Sequence, residues 1–437
     1  MQKCLVIGAG KSGKSAYNQL LKYGYMPVFY DDEFIELSSI EKLIDEFEFC
    51  VVSPGIPQNH KLIKLLNEKN IKIISEIELG YLFNENKNQI IAVTGTNGKT
   101  TVVSLLQFLL GELSDKAGNI GVPYTSVINN GKPYTILELS SFQLQNVYTF
   151  KPACIIFTNL APDHIDYHVS YENYINAKFN IFNNVDNSTV VIYNGEDKLL
   201  KNKVKSLNCG KCYHFSIDDI GGLGAFISVD NHIIVRTENG EEKLFKLADA
   251  ENHIRHNVMN ILAVALCLFL LGKYNARTAK SISEFVYPPF RMKTSIVKGK
   301  TIINDSKATN LASTLSALDS IKTKVVLLVG GKGKNEQYDK LFQYKNIKSV
   351  VAYGESADKF SSEANINNYK NITKVSGFSD AVKLAYRKTG VGETLLFSPA
   401  CSSFDQFSSY YERGVCFDNI IQIGRAHVWT PVTSAHL

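Results

Sequence analysis

This chain lacks several features, and each absence removes a class of function. No run of Lys and Arg gathers its net charge of +5, so nucleic acid has no electrostatic footprint to bind. The N-terminus enters a strand within three residues, with no charged leader and no cleavage site, so no secretory signal is expected. The longest apolar run, Ile261–Gly272, is too short to span a bilayer and reads as a buried helix, which argues against a membrane protein. Eight cysteines are scattered rather than spaced as a disulfide framework, as expected of a cytoplasmic protein. The one close pair, Cys209 and Cys212, lacks the second C-x-x-C that a structural zinc site would need.

What is present is ordinary for a globular protein, with 45% hydrophobic and 20% charged residues over 437 positions, enough for about two to four domains. Strand and helix patterns alternate almost throughout, which predicts parallel sheets covered by helices on both faces. The polar stretch Asn84–Gln89 reads as a linker, and the paired prolines in Tyr287–Arg291 mark a second boundary. The expected organisation is therefore three α/β domains at residues 1–89, 90–290 and 291–422: Rossmann-like, central P-loop ATPase-like and Rossmann-like. Between Val190 and Lys246 the pattern turns to short strands separated by Gly and Asn turns. From Ile423 onward the pattern fails. Residues 423–437 hold the only Trp and two of the nine His, show no periodicity, and resemble a translated sequencing adapter, so they read as a non-native tail.

Two loops compete for a phosphate. Val6–Ala16 satisfies both G-x-G-x-x-G, through Gly8, Gly10 and Gly13, and G-x-x-x-x-G-K-S, through Gly8, Gly13, Lys14 and Ser15. The second loop, in Ala92–Thr101, has G-K-T but carries Val93 where a strict Walker A pattern has glycine. The acids on neighbouring strands separate them. The strand after the first loop ends in Asp31 and Asp32, where a ribose-binding acid sits in a mononucleotide fold, and the next ends in Ser53, Pro54 and Gly55 with no metal-binding acid. Lys14 and Ser15 are then expected on a helix surface. After the second loop, strands deliver Glu138 and then Asp163, His164, Asp166 and His168 to one sheet edge. Lys99 can reach terminal phosphates and Thr100 can bind Mg²⁺, so ATP is expected at the second loop.

The run TGTNGKTT, GNIG, LELSSFQL, NLAPDHIDYH, NAKFNIF, RHNVMN, NDSKATN and FSPACSSFDQF, in that order, resembles the Mur ligases, bacterial enzymes that build the cell-wall peptide by ATP-driven amide formation. The opening glycine pattern with SPGIP, SEIELG and SPACSSFDQF resembles the branch that adds D-glutamate, and the likeness covers nearly all of Met1 to Ile421. It implies transfer of the ATP γ-phosphate to the carboxylate of UDP-N-acetylmuramoyl-L-alanine, then attack by D-glutamate on the acyl phosphate. By resemblance, Gly95, Thr96, Asn97, Gly98, Lys99, Thr100 and Thr101 bind ATP, with His256, Asn257, Asn260, Arg291, Asp305 and Lys307 around adenine, ribose and phosphates. Thr100 and Glu138 are implied to hold one Mg²⁺, and Glu138, His164 and a carbamylated Lys178 a second. Lys99, Glu138, His164 and Lys178 are the implied catalytic set. Ser12, Gly13, Asp31, Asp32, Ser53, Pro54, Gly55 and Asn119 are implied to bind the UDP substrate, and Thr309, Lys334, Ser403, Phe404 and Tyr410 D-glutamate. A monomer is the family default.

Three positions depart from the family: Phe290 stands for His, Lys293 for Glu and Lys332 for Asp. Other readings remain open. A nicotinamide oxidoreductase would explain the first loop but leave Lys99, Glu138, His164 and Lys178 without a task. A folylpolyglutamate-type ligase shares the ATP and C-terminal domains but lacks the N-terminal one. A non-catalytic nucleotide-binding protein would have no need of the metal-site residues.

Overall fold

The computed structural model describes residues 2–85, 88–207, 209–247, 255–334 and 336–426, with side chains at 255–256 and 424–426 left out. The chain divides into two compact units, residues 1–160 with 170–286, and residues 161–169 with 287–437.

The first unit contains two sheets. The smaller is Lys3–Ile7 (β1), Met26–Tyr30 (β2), Phe47–Val52 (β3) and Lys72–Ser75 (β4), all parallel in the order β2-β1-β3-β4. Its strands are apolar on both faces because side chains alternate across the sheet: Leu5 and Ile7 pack on Leu62 and Leu66, while Cys4 and Val6 pack on Ala16 and Leu20. The connection from β1 runs through helix Lys11–Lys22 (α1), and β4 leads straight into helix Glu76–Leu82 (α2), capped by Ser75.

The larger sheet has nine strands: Gln89–Thr94 (β5), Ser114–Gly118 (β6), Tyr134–Glu138 (β7), Cys154–Phe157 (β8), Val190–Asn194 (β9), Lys211–Phe215 (β10), Gly224–Ile227 (β11), His232–Thr237 (β12) and Gly240–Lys246 (β13). Their order is β13-β12-β11-β10-β9-β8-β5-β7-β6, parallel from β6 to β11 and antiparallel only at β12 and β13. The short strands after Val190 thus extend this sheet. β5 shows why the sheet needs two covers. Ile91 and Val93 face helices Lys99–Leu110 (α3) and Arg255–Leu270 (α5), while Ile90 and Ala92 join Phe157 and Ile181 on the side of helix Tyr171–Phe179 (α4). The apolar run of α5 is buried in this core, from Ile261 to Leu268.

The second unit's sheet is Lys293–Val297 (β14), Lys300–Asn304 (β15), Val325–Gly330 (β16), Ile347–Tyr353 (β17), Ile372–Val375 (β18) and Thr394–Ala400 (β19), ordered β14-β15-β19-β16-β17-β18. Only the β14–β15 pairing is antiparallel. Helix Leu311–Asp319 (α6) follows β15, and helix Tyr410–Ala426 (α7) closes one face by burying Phe417, Ile420 and Ile421. The tail beginning at Ile423 continues α7 to Ala426, and its remainder, 427–437, lies outside the described residues.

Candidate active site

In open parallel sheets, ligands bind at the carboxyl ends of strands where the chain order reverses. In the nine-stranded sheet that point is β5, whose neighbours β7 and β8 are reached in opposite directions. The loop Gly95–Gly98 leaves β5 there. Gly95 has φ +134°, and a Cβ on it would lie 2.0 Å from Thr158 Oγ1, so only glycine fits. Asn159, just past β8, fixes the loop from the other side: Thr96 N donates to its carbonyl at 2.9 Å and Asn97 N to its Oδ1 at 2.9 Å. Thr96 Oγ1 pairs with Tyr174 OH at 2.9 Å, and Asn260 Oδ1 would be 2.6 Å from a Cβ on Gly98, so α4 and α5 both abut the loop.

Two ammonium groups converge on one carbonyl. Lys99 Nζ donates to Gly95 O at 2.8 Å and to Thr96 O at 2.9 Å, and Lys178 Nζ donates to the same Gly95 O at 2.8 Å. Lys178 is 2% exposed, with its amine 5.0 Å from the Tyr174 ring centre. Beside them, Glu138 ends β7, 2% exposed. Its Oε1 accepts from Asn119 Nδ2 at 2.9 Å, and the Asn119 amide donates to the Glu138 carbonyl at 2.8 Å. Its Oε2 is buried and has no hydrogen-bond partner among the described residues. A buried, unpartnered carboxylate oxygen beside a phosphate-type loop is what a hard cation takes as a ligand, so the residues fit Mg²⁺. Thr100 and Thr101 open α3. Asn257 lies on α5; the side chain of His256 lies outside the described residues.

The first loop is built differently. Gly8 has φ +93°, and a Cβ on Gly13 would sit 1.8 Å from the Gly8 carbonyl, so this glycine permits the close packing of α1 on the loop. Asp31 Oδ2 accepts the Ala9 amide at 2.7 Å, and Ser53 Oγ donates to Gly8 O at 3.1 Å. Asp32 accepts from Tyr30 OH at 2.6 Å and pairs with His60 at 2.9 Å; the Tyr30 bond foremost holds its carboxyl below the ordinary value. Ser12 is half-buried, Pro54 and Gly55 follow β3, and Lys14 is exposed. Ser15 is not a surface residue: it is half-buried and bonded to Thr125.

The second unit gathers a separate set. His164, at φ +53°, follows Asp163, which is 7% exposed, pairs with Lys334 Nζ at 2.7 Å and accepts from Asn310 Nδ2 at 3.2 Å. Burial alone would raise the Asp163 pKa, but Lys334, His164 and Asn310 outweigh it and lower it to about 2. Glu336 accepts the Leu311 amide at 2.8 Å, and burial pushes it up to about 7. Asp305, fully enclosed, is likewise pushed up to about 7 by burial, against bonds from Ser398 Oγ (2.9 Å) and Met292 N (3.2 Å) and the charge of Arg291. Lys307 Nζ lies 4.4 Å from the Tyr410 ring centre, and the Thr309 amide donates to Lys307 O at 2.8 Å. Ser403 is buried, whereas Phe404 is 69% exposed. Two departures from the family pattern are accommodated: Phe290 packs on Gly414 and edge-on to Tyr411, and Lys293 pairs with Asp418 at 2.8 Å. Lys332 pairs by backbone with Ser402.

Several residues here escaped sequence reasoning. Asn159 and Tyr174 shape the ATP-type loop, and wholly buried Arg413 donates to Ser306 O (2.9 Å), Cys401 O (3.1 Å) and Ser402 O (3.1 Å), tying the ends of β15 and β19. No local spacing announces them. Only the NLAPDH run, with Asn159 at its head, carried a signal.

The fold and loop chemistry define a protein of the nucleotide-phosphate-binding class, built on three sheets. Residues 93–268 match the Mur ligase middle domain and residues 290–401 the Mur ligase, glutamate ligase domain. The chain is 32% identical over 448 residues to a UDP-N-acetylmuramoylalanine–D-glutamate ligase of Caldicellulosiruptor saccharolyticus, covering 96% of this chain and 98% of that one. It is 33% identical to the protein so named in Lachnoclostridium phytofermentans, with the same coverage. Among solved structures, a MurF ligase of Thermotoga maritima in complex with ADP has a TM-score of 0.57 at 16% identity, covering 88% of this chain and 91% of that one. The chain belongs to the Mur ligase family. Among the described residues, no helix is long and apolar enough to cross a membrane.

Proposed function

We propose that this chain joins D-glutamate to UDP-N-acetylmuramoyl-L-alanine in the cytoplasm, as a monomer, with ATP as the energy source. Residues 1–89 are assigned to the UDP substrate, 90–290 to ATP and 291–422 to D-glutamate. A carboxylate acylates an amine only after gaining a leaving group. The γ-phosphate therefore passes to the alanyl carboxylate, and the amine of D-glutamate displaces phosphate from the acyl phosphate. Phosphoryl transfer asks chiefly for positioning and charge neutralisation. Lys99, anchored at the loop's own carbonyls, is the cation for the transferring phosphate. When bound, Mg²⁺ supplies further charge neutralisation at the phosphates; Thr100 and the free oxygen of Glu138 would hold one ion, and Glu138, His164 and Lys178 a second.

An ammonium on Lys178 is a poor neighbour for Lys99 and for a divalent cation. We assign Lys178 as a carbamate, formed by its neutral amine with CO₂, which replaces a positive group by an anionic oxygen ligand. Asn119 orients the substrate carboxylate beside Glu138. Ser12, Gly13 and the Ser53–Gly55 turn border the sugar nucleotide. Lys334, Thr309, Ser403, Phe404 and Tyr410 receive the carboxylates of D-glutamate, where charge-assisted donors offset the cost of burying them.

The observation that carries this reading is the pairing of a lysine-bearing glycine loop with Glu138, whose Oε2 is buried without a hydrogen-bond partner among the described residues. Phosphate release from ATP with UDP-N-acetylmuramoyl-L-alanine, measured with D-glutamate, L-glutamate, L-lysine and diaminopimelate added separately, tests it. Release is expected with D-glutamate alone, and equal turnover with L-lysine would overturn the amino-acid assignment.

A further inference from the structure

The serine that gives the first loop its resemblance to an ATP loop is turned to another task. Ser15 Oγ lies 2.7 Å from Thr125 Oγ1, and Gln19, one turn further along α1, donates Nε2 to Thr125 O at 2.7 Å. Thr125 is fully buried. Its amide and its hydroxyl both donate to Glu76 Oε1 on α2, at 2.6 and 2.7 Å. A threonine hydroxyl has one proton. Since Thr125 gives that proton to Glu76, Ser15 must be the donor in the first bond, and the chain of donors runs Ser15 to Thr125 to Glu76.

The segment that carries Thr125 begins at the metal-type carboxylate. Thr125 sits six residues after Asn119, which is bonded to Glu138 by both side chain and backbone. Tyr124 is clamped between, because a Cβ on Gly80 of α2 would lie 2.5 Å from its ring. Helix α1, which carries Ser12 and Gly13 in its first turn, is therefore hydrogen-bonded, through one buried threonine, to the segment that positions Asn119 against Glu138. Valine would fill the space of Thr125 without needing the two side-chain partners Ser15 and Glu76, so the polar solution fixes direction as well as volume.

We propose that Ser15 and Thr125, anchored by Glu76, are positioning residues. They set the spacing between the sugar nucleotide at the first loop and the carboxylate activated beside Glu138. This inference rests on the reaction proposed above. Its substrate is held at two distant points, and an error of about 1 Å between reacting groups costs on the order of 100-fold in rate.

Ser15→Ala is expected to raise KM for UDP-N-acetylmuramoyl-L-alanine and lower kcat, for a combined loss of roughly 3- to 10-fold, the size of one net hydrogen bond. KM for ATP should not move, and phosphate released per amide formed should rise above that of the wild type. Thr125→Val should be more severe, Thr125→Ser should restore most of the activity, and Ser15→Ala added to Thr125→Val should cost nothing more. Melting temperatures measured alongside separate a loss of fold, and Ser15→Ala with Thr125→Ser keeps the test open if Thr125→Val does not fold. Unchanged kinetics in a folded Ser15→Ala, equal rises in both KM values, or additive losses would each overturn the relay. A wild type that binds the sugar nucleotide by calorimetry but forms no amide would instead overturn the proposed reaction, and a relay that still governs this binding would show as weaker binding by Ser15→Ala.

Discussion

Glu78 offers a sharp test of how the two sheets of the first unit are joined. It is wholly buried on α2, and its carboxylate accepts four bonds from residues 148–150, three from backbone amides and one from a hydroxyl. Oε2 takes the amides of Tyr148 (3.0 Å) and Phe150 (3.1 Å), and Oε1 takes the amide and hydroxyl of Thr149 (2.8 and 2.7 Å). Glu78→Gln preserves size and shape, and its amide oxygen can keep the Tyr148 and Phe150 amides while its nitrogen donates to the Thr149 hydroxyl, but that nitrogen then faces the Thr149 N–H. One charge-assisted bond is lost, so the substitution should destabilise the first unit by about 1.5–3 kcal/mol. Calorimetric unfolding measures the loss, and hydrogen exchange localises it, since the amides of residues 148–150 should exchange faster than in the wild type. A Glu78→Gln protein within about 1 kcal/mol of wild type, or unchanged exchange at those amides, would refute the reasoning.

The remaining expectations concern the reaction and its pH dependence. Lys99→Ala should lower turnover by about two to three decades, whereas Lys14→Ala should stay within a few-fold; steady-state phosphate release decides, and the reverse result would exchange the roles of the two loops. Lys178→Ala should be nearly inactive and partly restored by acetate, a small carboxylate; full activity under CO₂-free conditions would remove the carbamate from the mechanism. Asp305, raised from 3.8 to about 7 by burial, favours the folded state fully below pH 4 and loses that contribution as pH rises through 7, at most roughly 4 kcal/mol. Stability curves of Asp305→Asn should therefore be flatter between pH 5 and 8 than those of the wild type, and parallel curves would contradict the burial argument.

Local spacing made much of this molecule legible. A strand followed by G-K-T, a strand ending in Glu138 and another leading to NLAPDH were enough to place the ATP-type loop at a sheet edge, because each feature is confined to a few consecutive residues. The burial of α5 followed from its unbroken apolar run. Residues whose meaning depends on distant partners stayed hidden. Ser15 reads as a phosphate ligand or a surface residue until Thr125, far along the chain, is seen beside it. The two glutamates of SEIELG stand two apart on a short helix, so no shared face marks them, yet both are buried on backbone amides from other segments. Lys334, expected to meet a substrate carboxylate, already has one in Asp163.

The outermost strand of the nine-stranded sheet has a bearing on handling and expression. Among the described residues no strand pairs with the outer side of β13, and an open strand edge invites a second molecule to add to it. Here that edge is written as Gly-Glu-Glu-Lys-Leu-Phe-Lys, with its first four residues exposed, and Glu241 is held by Arg236 of β12. A second copy docking edge to edge would bring like charges together and strip water from them. The hairpin β12–β13 therefore closes the long sheet with a charged hem that resists self-association, so replacing Glu241, Glu242 and Lys243 with threonine should shorten the time to aggregation while leaving the distant ATP-type loop untouched.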